Sequence, residues 1–365
     1  MRRNVLAAGA VILAISLAGC AQFGYYAQAV HGQMSLLSQA RPIDHWLSDP
    51  RVEDDLKSRL NRVREIRRFA VSQLGLPDNG SYKSFADLNR KFVMWNVVAT
   101  PELSLEPERW CFPVAGCVDY RGYYSKDAAQ DFAKGLRARG LDVRVTGVPA
   151  YSTLGWFNDP VLSTFIHYPE AEVARLVFHE LAHQVAYAPG DSQFNESFAT
   201  AVEEAGVSRW LDEQGDDETR ASYRSFQQKR EGFLKLLESY RARLDQTYRG
   251  PSTDDQKRAH KAELMAELQI DYSRLKQQWD GYAGYDRWFN EPMSNAHFAL
   301  ISTYHSDVSA FQQLLAEKKT LPAFYQAVQS LARMDSAKRR ALLLQYKPAT
   351  EASTDKVNKL AVALQ

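Results

Sequence analysis

The chain has 365 residues, enough for one large domain or two small ones. Its 45 basic and 44 acidic side chains nearly cancel, leaving +1, so there is no electrostatic case for a nucleic-acid partner or a strongly charged substrate. A hydrophobic fraction of 45% with 12% aromatics suits a large core or a lined cleft, and no segment repeats at a fixed period.

The first residues read as a targeting segment. Arg2 and Arg3 form a short basic region, and residues 5–17 an apolar run too short to span a membrane comfortably. Leu17-Ala18-Gly19-Cys20 then resembles a bacterial lipobox, with residues 1–19 as the signal peptide and Cys20 as the lipidated new N-terminus. Removing residues 1–19 takes away two Arg and no acid, so the net charge falls to about −1. Ala21 rather than Asp follows the Cys, which points to the periplasmic face of the outer membrane in a Gram-negative envelope. Several acyl chains would hold the chain to the bilayer, making the membrane one expected partner.

Residues 49–74 carry Val52, Leu56, Val63, Ile66, Ala70 and Leu74 at helical spacing, and Leu76-Pro77-Asp78-Asn79-Gly80 ends that helix. Cys111 and Cys117 are the two Cys left after processing. In an oxidising envelope they are expected to form a disulfide, if their Cα atoms lie within about 7 Å. Residues 118–124 read as a strand, 126–139 as a helix closed by Gly140, 141–146 as a strand and 164–166 as a short strand. His167, on that strand side, reads as structural.

His179-Glu180-Leu181-Ala182-His183 is an H-E-x-x-H sequence inside an apolar stripe of Val173, Leu176, Val177, Leu181 and Val185. Residues four apart share a helix face, so His179 and His183 can present two imidazoles to one metal ion. Glu180 lies beside them, where a carboxylate can take a proton from water activated by that metal. Glu170 and Glu172 suit the helix start, and Pro189-Gly190 stops it. Catalytic zinc takes three protein ligands and keeps a position open. Residues 195–204 read as a second helix with Asn195 as its N-cap, joined by a short loop, roughly 187–194, so the two helices should be neighbours. Glu196, Thr200 and Glu203 share one face of it. Glu196 lies thirteen positions after His183 and Glu203 twenty, and either could be the third ligand. The twenty-residue gap to Glu203 resembles the thermolysin-like pattern, whereas N-E-x-x-A around Glu196 resembles the way zinc peptidases with two His and one Glu present their third ligand; the latter favours Glu196, with Glu203 as an acceptor for a ligand His.

Residues 216–279 are densely charged and poor in Gly and Pro. Phe226, Phe233, Leu237, Tyr240 and Leu244 form one stripe, and Leu264, Leu268, Tyr272, Leu275 and Trp279 another. This predicts a helical hairpin turning near residues 248–254, either projecting from the body or covering it, with a solvated charged surface. In residues 282–305, Tyr304 is the candidate oxyanion stabiliser, with His297 and His305 as alternatives; Asn295 could cap a helix or bind substrate backbone. Residues 347–365 read as a mobile tail.

Several segments resemble one family, the bacterial aminopeptidase lipoproteins, zinc-dependent H-E-x-x-H peptidases. They are Trp110-Cys111-Phe112-Pro113-Val114-Ala115-Gly116, Tyr120-Arg121-Gly122-Tyr123-Tyr124, Ala150-Tyr151-Ser152-Thr153-Leu154-Gly155-Trp156-Phe157, Asp159-Pro160-Val161-Leu162, Asn195-Glu196-Ser197-Phe198-Ala199, and Asn295-Ala296 continuing to Tyr304. The likeness runs from about Cys20 to Tyr346; Ser294 and His297 depart from the pattern. It implies one metallopeptidase domain over residues 20–346, α+β and mainly α, zincin-like, with a small sheet beside the H-E-x-x-H helix and the hairpin as an insertion. It also implies a Zn²⁺ cofactor, a peptide substrate and removal of amino-terminal residues. Glu203 or Asp159 could hold the substrate amine. In such peptidases a sheet edge pairs with the substrate, and residues 143–148 or 150–155 could supply it. The alternatives are an endopeptidase of the same class, or a lipid-anchored scaffold whose metal site is structural or vestigial.

Overall fold

The computed structural model describes residues 23–112, 116–299, 301 and 307–347. Helix α1 spans residues 23–39, followed by β1 (Arg41–Pro42), α2 (Ile43–Ser48), α3 (Asp54–Ser72), β2 (Ser84–Ala86), β3 (Met94–Pro101), β4 (Trp110–Phe112), β5 (Gly116–Val118), β6 (Arg121–Tyr123), α4 (Lys126–Ala138), β7 (Leu141–Val148) and β8 (Val161–Leu162). The second half is helical: α5 (Glu170–Val185), α6 (Ser192–Gln214), α7 (Asp217–Arg249), α8 (Asp254–Gln278), α9 (Val308–Lys318), α10 (Leu321–Ala332) and α11 (Ser336–Leu343). The described residues are therefore mainly helical with small sheets, as the sequence predicts.

The main core is assembled on α5 and α6. Phe178 on α5 and Phe194 and Phe198 on α6 are fully buried. Phe198 packs 5.8 Å from both Phe311 on α9 and Phe324 on α10, and Phe178 packs 6.0 Å from Phe69 on α3. Each such side chain contributes roughly 2–3 kcal/mol of burial. Gly206 of α6 lets the helices approach closely: a β-carbon there would lie 2.8 Å from both Phe178 Cδ2 and Leu74 Cδ1.

Beside this core, β3 pairs antiparallel with β6 on one side and with β7 on the other, leaving β7 at the edge of its three-stranded sheet. Helix α4 covers the sheet with Ala129, Ala133 and Leu136, capped by Ser125, which accepts the Ala128 N–H. Gly140 follows α4 at φ +81°, a conformation that favours glycine. A second small sheet joins β1, β2 and β8.

The structure corrects several boundaries. Residues 118–124 are not one strand: β5 pairs with β4 and β6 with β3, so the chain changes sheets between Val118 and Arg121. Residues 164–166 form a turn, with Phe165 and Ile166 N–H donating to Leu162 O, and the strand lies upstream at Val161–Leu162. Helix α3 begins at Asp54 because the Asp49 carboxylate accepts the Arg51 N–H and holds a turn around Pro50. The helical hairpin is present as α7 and α8, with a capping box of Thr253 and Gln256 starting the second helix. It is tied to the sheet body: Lys261 pairs with Asp142 at 2.6 Å and Arg258 with Glu102 at 2.9 Å.

Replacing Gly206 with Val should force α5 and α6 apart and cost about 1–3 kcal/mol. An unchanged Tm would refute the close approach.

Candidate metal centre

Arg175, His179 and His183 follow one another at four-residue intervals along α5, so all three face the same way. They look into a cleft of about 430 Å³ whose other walls include Glu196, Thr200 and Glu203 of α6, residues 148–152 after the β7 edge, Asn96, Tyr120 and Tyr187. The opposite side of α5, with Val173, Val177 and Leu181, is sealed into the core.

Three nitrogen and oxygen donors converge. His179 Nε2 lies 3.2 Å from Glu196 Oε2 and 3.2 Å from His183 Nε2, and His183 Nε2 lies 3.8 Å from Glu196 Oε1. A tetrahedral ion with ligands at about 2.0–2.1 Å separates its donors by about 3.3 Å, so this spacing fits one small divalent cation. The ligand atoms of His179, His183 and Glu196 all fall within 4.8 Å of one another. Two imidazole nitrogens facing each other and a carboxylate, away from bulk water, also call for a positive charge between them.

Glu203 stands at the other edge of the His179 ring, with Oε2 2.8 Å from Nδ1. That bond puts the His179 proton on Nδ1 and leaves the Nε2 lone pair free to bind a metal. Burial alone would raise the Glu203 pKa, but Arg175 at 3.0 Å, His179 and then Arg230 hold it down at about 2. Arg230 comes from α7, 3.7 Å from Glu203 Oε1, so the hairpin contributes to the site as well as covering it. His183 has no such support: its Nδ1 is buried with no hydrogen-bond partner among the described residues. Without a cation, burial lowers the His183 pKa to about 4, whereas for His179 burial is outweighed by the two carboxylates, which raise it to about 10. Glu180 is buried too, and burial raises its carboxyl to about 7.

The structure places the other sequence candidates as follows. Asn195 is not the N-cap of α6; Asp191 caps it, accepting the Phe194 N–H. Asn195 instead clamps the preceding loop, accepting from Ala188 N–H and donating to Ala188 O. Asn295 is fully buried away from the cleft: it donates to Glu102 O and Ser104 O and accepts from the Tyr248 hydroxyl. It therefore joins the hairpin to the sheet and has no donor or acceptor turned to the cleft. His297 is buried against Trp288, and its Nδ1 accepts the Ser294 N–H. Asp159 accepts both the N–H and the hydroxyl of Thr153 and does not line the cleft. His167 is exposed near Asp55. Cys111 and Cys117 are joined by a disulfide across β4 and β5. Tyr304, His305, Cys20 and the expected tail, apart from Lys347, lie outside the described residues.

Residues that sequence reading passed over also meet here. Arg175 had a signal, since it sits one helical turn before His179. Tyr120 lies in one of the segments that carry the family resemblance, though no role was assigned to it; Asn96 and Arg230 had no signal, because they come from a separate strand and helix.

Two outcomes follow. Glu203→Gln should lower the affinity of the site for an added divalent cation roughly 10–100-fold, measured by competitive chelator titration; unchanged affinity would show that the bond to His179 does not support the ligand. The second concerns Glu180 in the metal-free protein. Its carboxyl is raised from 4.5 to about 7, so it contributes stability while protonated below about pH 4.5 and loses that contribution as pH rises through 7. Glu180→Gln should therefore match the parent at pH 4 and exceed it by up to about 3 kcal/mol at pH 8. Equal Tm differences at both pH values would contradict this.

No curated protein and no solved structure matches the chain. A family model described as "Putative aminopeptidase" matches residues 24–343, and the chain belongs to that family.

Proposed function

We propose that this protein is a zinc-dependent peptidase with a zincin-like site that removes amino-terminal residues from peptides, working in the bacterial envelope from a lipid on Cys20. The observation that carries this reading is the convergence of His179, His183 and Glu196 in one cleft, with Glu180 beside them. The anchor is supported by the basic start, the short apolar run and Leu17-Ala18-Gly19-Cys20. Two imidazoles and a carboxylate suit zinc among the divalent ions. Zinc held there would polarise the scissile carbonyl and make water acidic near neutral pH.

The chain's own groups do the rest. Glu180, beside the two imidazoles on α5, accepts the proton of the attacking water and returns it to the leaving amine. Glu203 fixes the His179 ring, and Arg175 and Arg230 keep Glu203 ionised. The Tyr120 phenol lines the cleft and makes no hydrogen bond among the described residues; Glu196 and Glu180 are among its charged neighbours. We assign it as a donor to the carbonyl oxygen as negative charge develops there. Peptide backbone would lie along residues 148–152, continuing the β7 edge by strand addition. Glu203 sits on the far side of the His179 ring from the converging nitrogens, which supports a three-ligand site with an open position over a closed structural one.

One observation favours a second reading, internal cleavage. Among the described residues, the acids lining the cleft are Glu180, Glu196 and Glu203, and each already has a role, so none of them is left for a substrate amine.

Glu180→Gln should retain zinc and lose about 10²–10⁴-fold in turnover; a variant that cleaves as well as the parent would remove Glu180 from the mechanism. Tyr120→Phe should lower kcat by about 10²–10³-fold with little change in KM. Free-amine and N-acetylated peptides of one sequence separate the two specificities: equal cleavage of both would replace the aminopeptidase reading with the endopeptidase one.

A further inference from the structure

Helix α1 is unlike the rest of the surface. The chain is 24% charged, yet between Arg3 and Arg41 it has no Asp, Glu, Lys or Arg. Eight large apolar side chains are exposed among the described residues, and four of them lie on α1: Phe23 at 76%, Tyr26 at 36%, Val30 at 60% and Met34 at 50%. They fall one turn apart, a single stripe of about 16 Å along the helix. The opposite face is already used. Tyr25 stacks 5.6 Å from Phe112, and Leu36 is buried. At Gly32 a β-carbon would overlap the Tyr124 ring, so this face sits hard against the body.

We propose that the outer face of α1 lies on the surface of the phospholipid bilayer, with Phe23, Tyr26, Val30 and Met34 in the interface between headgroups and acyl chains. The inference rests on the lipid anchor at Cys20. Two residues separate Cys20 from Phe23, so the near end of the stripe cannot lie more than about 10 Å from the residue that carries the acyl chains. A stripe of aromatic and aliphatic side chains, uncharged along its length and flanked by Ser, Gln and His, matches a helix that lies in the interface plane. No helix among the described residues is long and apolar enough to cross a membrane, so the contact is with the surface.

This placement bears on the cleft. Gln28 Oε1 accepts the Tyr124 N–H, and Gln33 Oε1 accepts from the hydroxyls of Tyr124 and Tyr151. Tyr151 lines the cleft. The back of the membrane-lying helix therefore holds one cleft wall, and the bilayer fixes how the peptidase body is turned.

The test uses the full chain, lipidated in a bacterial host and reconstituted in phosphatidylethanolamine–phosphatidylglycerol vesicles. Cys20 carries lipid and Cys111 and Cys117 are bonded, so Val30→Cys, Met34→Cys or Ile270→Cys each gives one free thiol for an environment-sensitive fluorophore. Ile270, 53% exposed on α8, is the control. The labels at 30 and 34 should be quenched by nitroxide lipids and should resist aqueous iodide roughly fivefold better than the label at 270. Equal iodide quenching at all three positions, in a chain that floats with the vesicles, overturns the helix placement and leaves the anchor standing. Failure to float, with no acyl mass on Cys20, overturns both. Protection seen in host membranes but lost in pure lipid assigns the stripe to a protein partner and also overturns the proposal.

Discussion

The bond between His179 Nδ1 and the Glu203 carboxylate, 2.8 Å long and buried between α5 and α6, is the contact on which the site's geometry depends. A carboxylate taken out of water is costly unless it is paired and hydrogen-bonded. Here Arg175, one turn back on the same helix as His179, and Arg230, from the hairpin, supply the compensating charge. The result is a chain of Arg, Glu and His that holds one imidazole in a single tautomer and orientation. Only then does its free nitrogen meet Glu196 and His183 at donor spacing.

That contact needs α6 held at one rotation and one offset against α5. The aromatic core supplies this through Phe178, Phe194 and Phe198, with Gly206 allowing close approach. The connecting loop is fixed from both sides. Asn195 grips Ala188 from within, and the disulfide-linked β4–β5 hairpin presses from without, where a β-carbon on Gly116 would lie 2.4 Å from Gly190 N. Arg109 donates to both Cys117 O and Gly190 O and joins the two pieces. Val118 and Tyr120 follow directly from this brace and enter the cleft wall.

Other parts of the wall come from farther away. The hairpin brings Arg230, and its own position depends on Lys261, Arg258 and the buried Asn295 junction. Helix α1 supports Tyr151 through Gln33. If α1 lies on the bilayer as proposed, the cleft is mounted on the same element that meets the membrane, so anchoring and access to substrate are mechanically linked.

The sequence by itself determined what depends on local spacing. The four-residue interval puts His179 and His183 on one face, the stripes and the Gly250-Pro251 break set the hairpin, and Gly140 ends α4. It also narrowed the acidic partner to Glu196 or Glu203, which share a face of α6, and the N-E-x-x-A pattern put Glu196 ahead. Periodicity could not separate those two, because it fixes which face a residue occupies and says nothing of how far one helix slides along another. Tertiary packing decided that Glu196 faces the imidazole nitrogens while Glu203 meets the far ring edge. It also moved Asn295 from a substrate contact to a buried joint, split residues 118–124 between two sheets, and brought Arg230, Asn96 and Tyr120 together. Those residues lie far apart along the chain, and only burial of the core between them makes them neighbours.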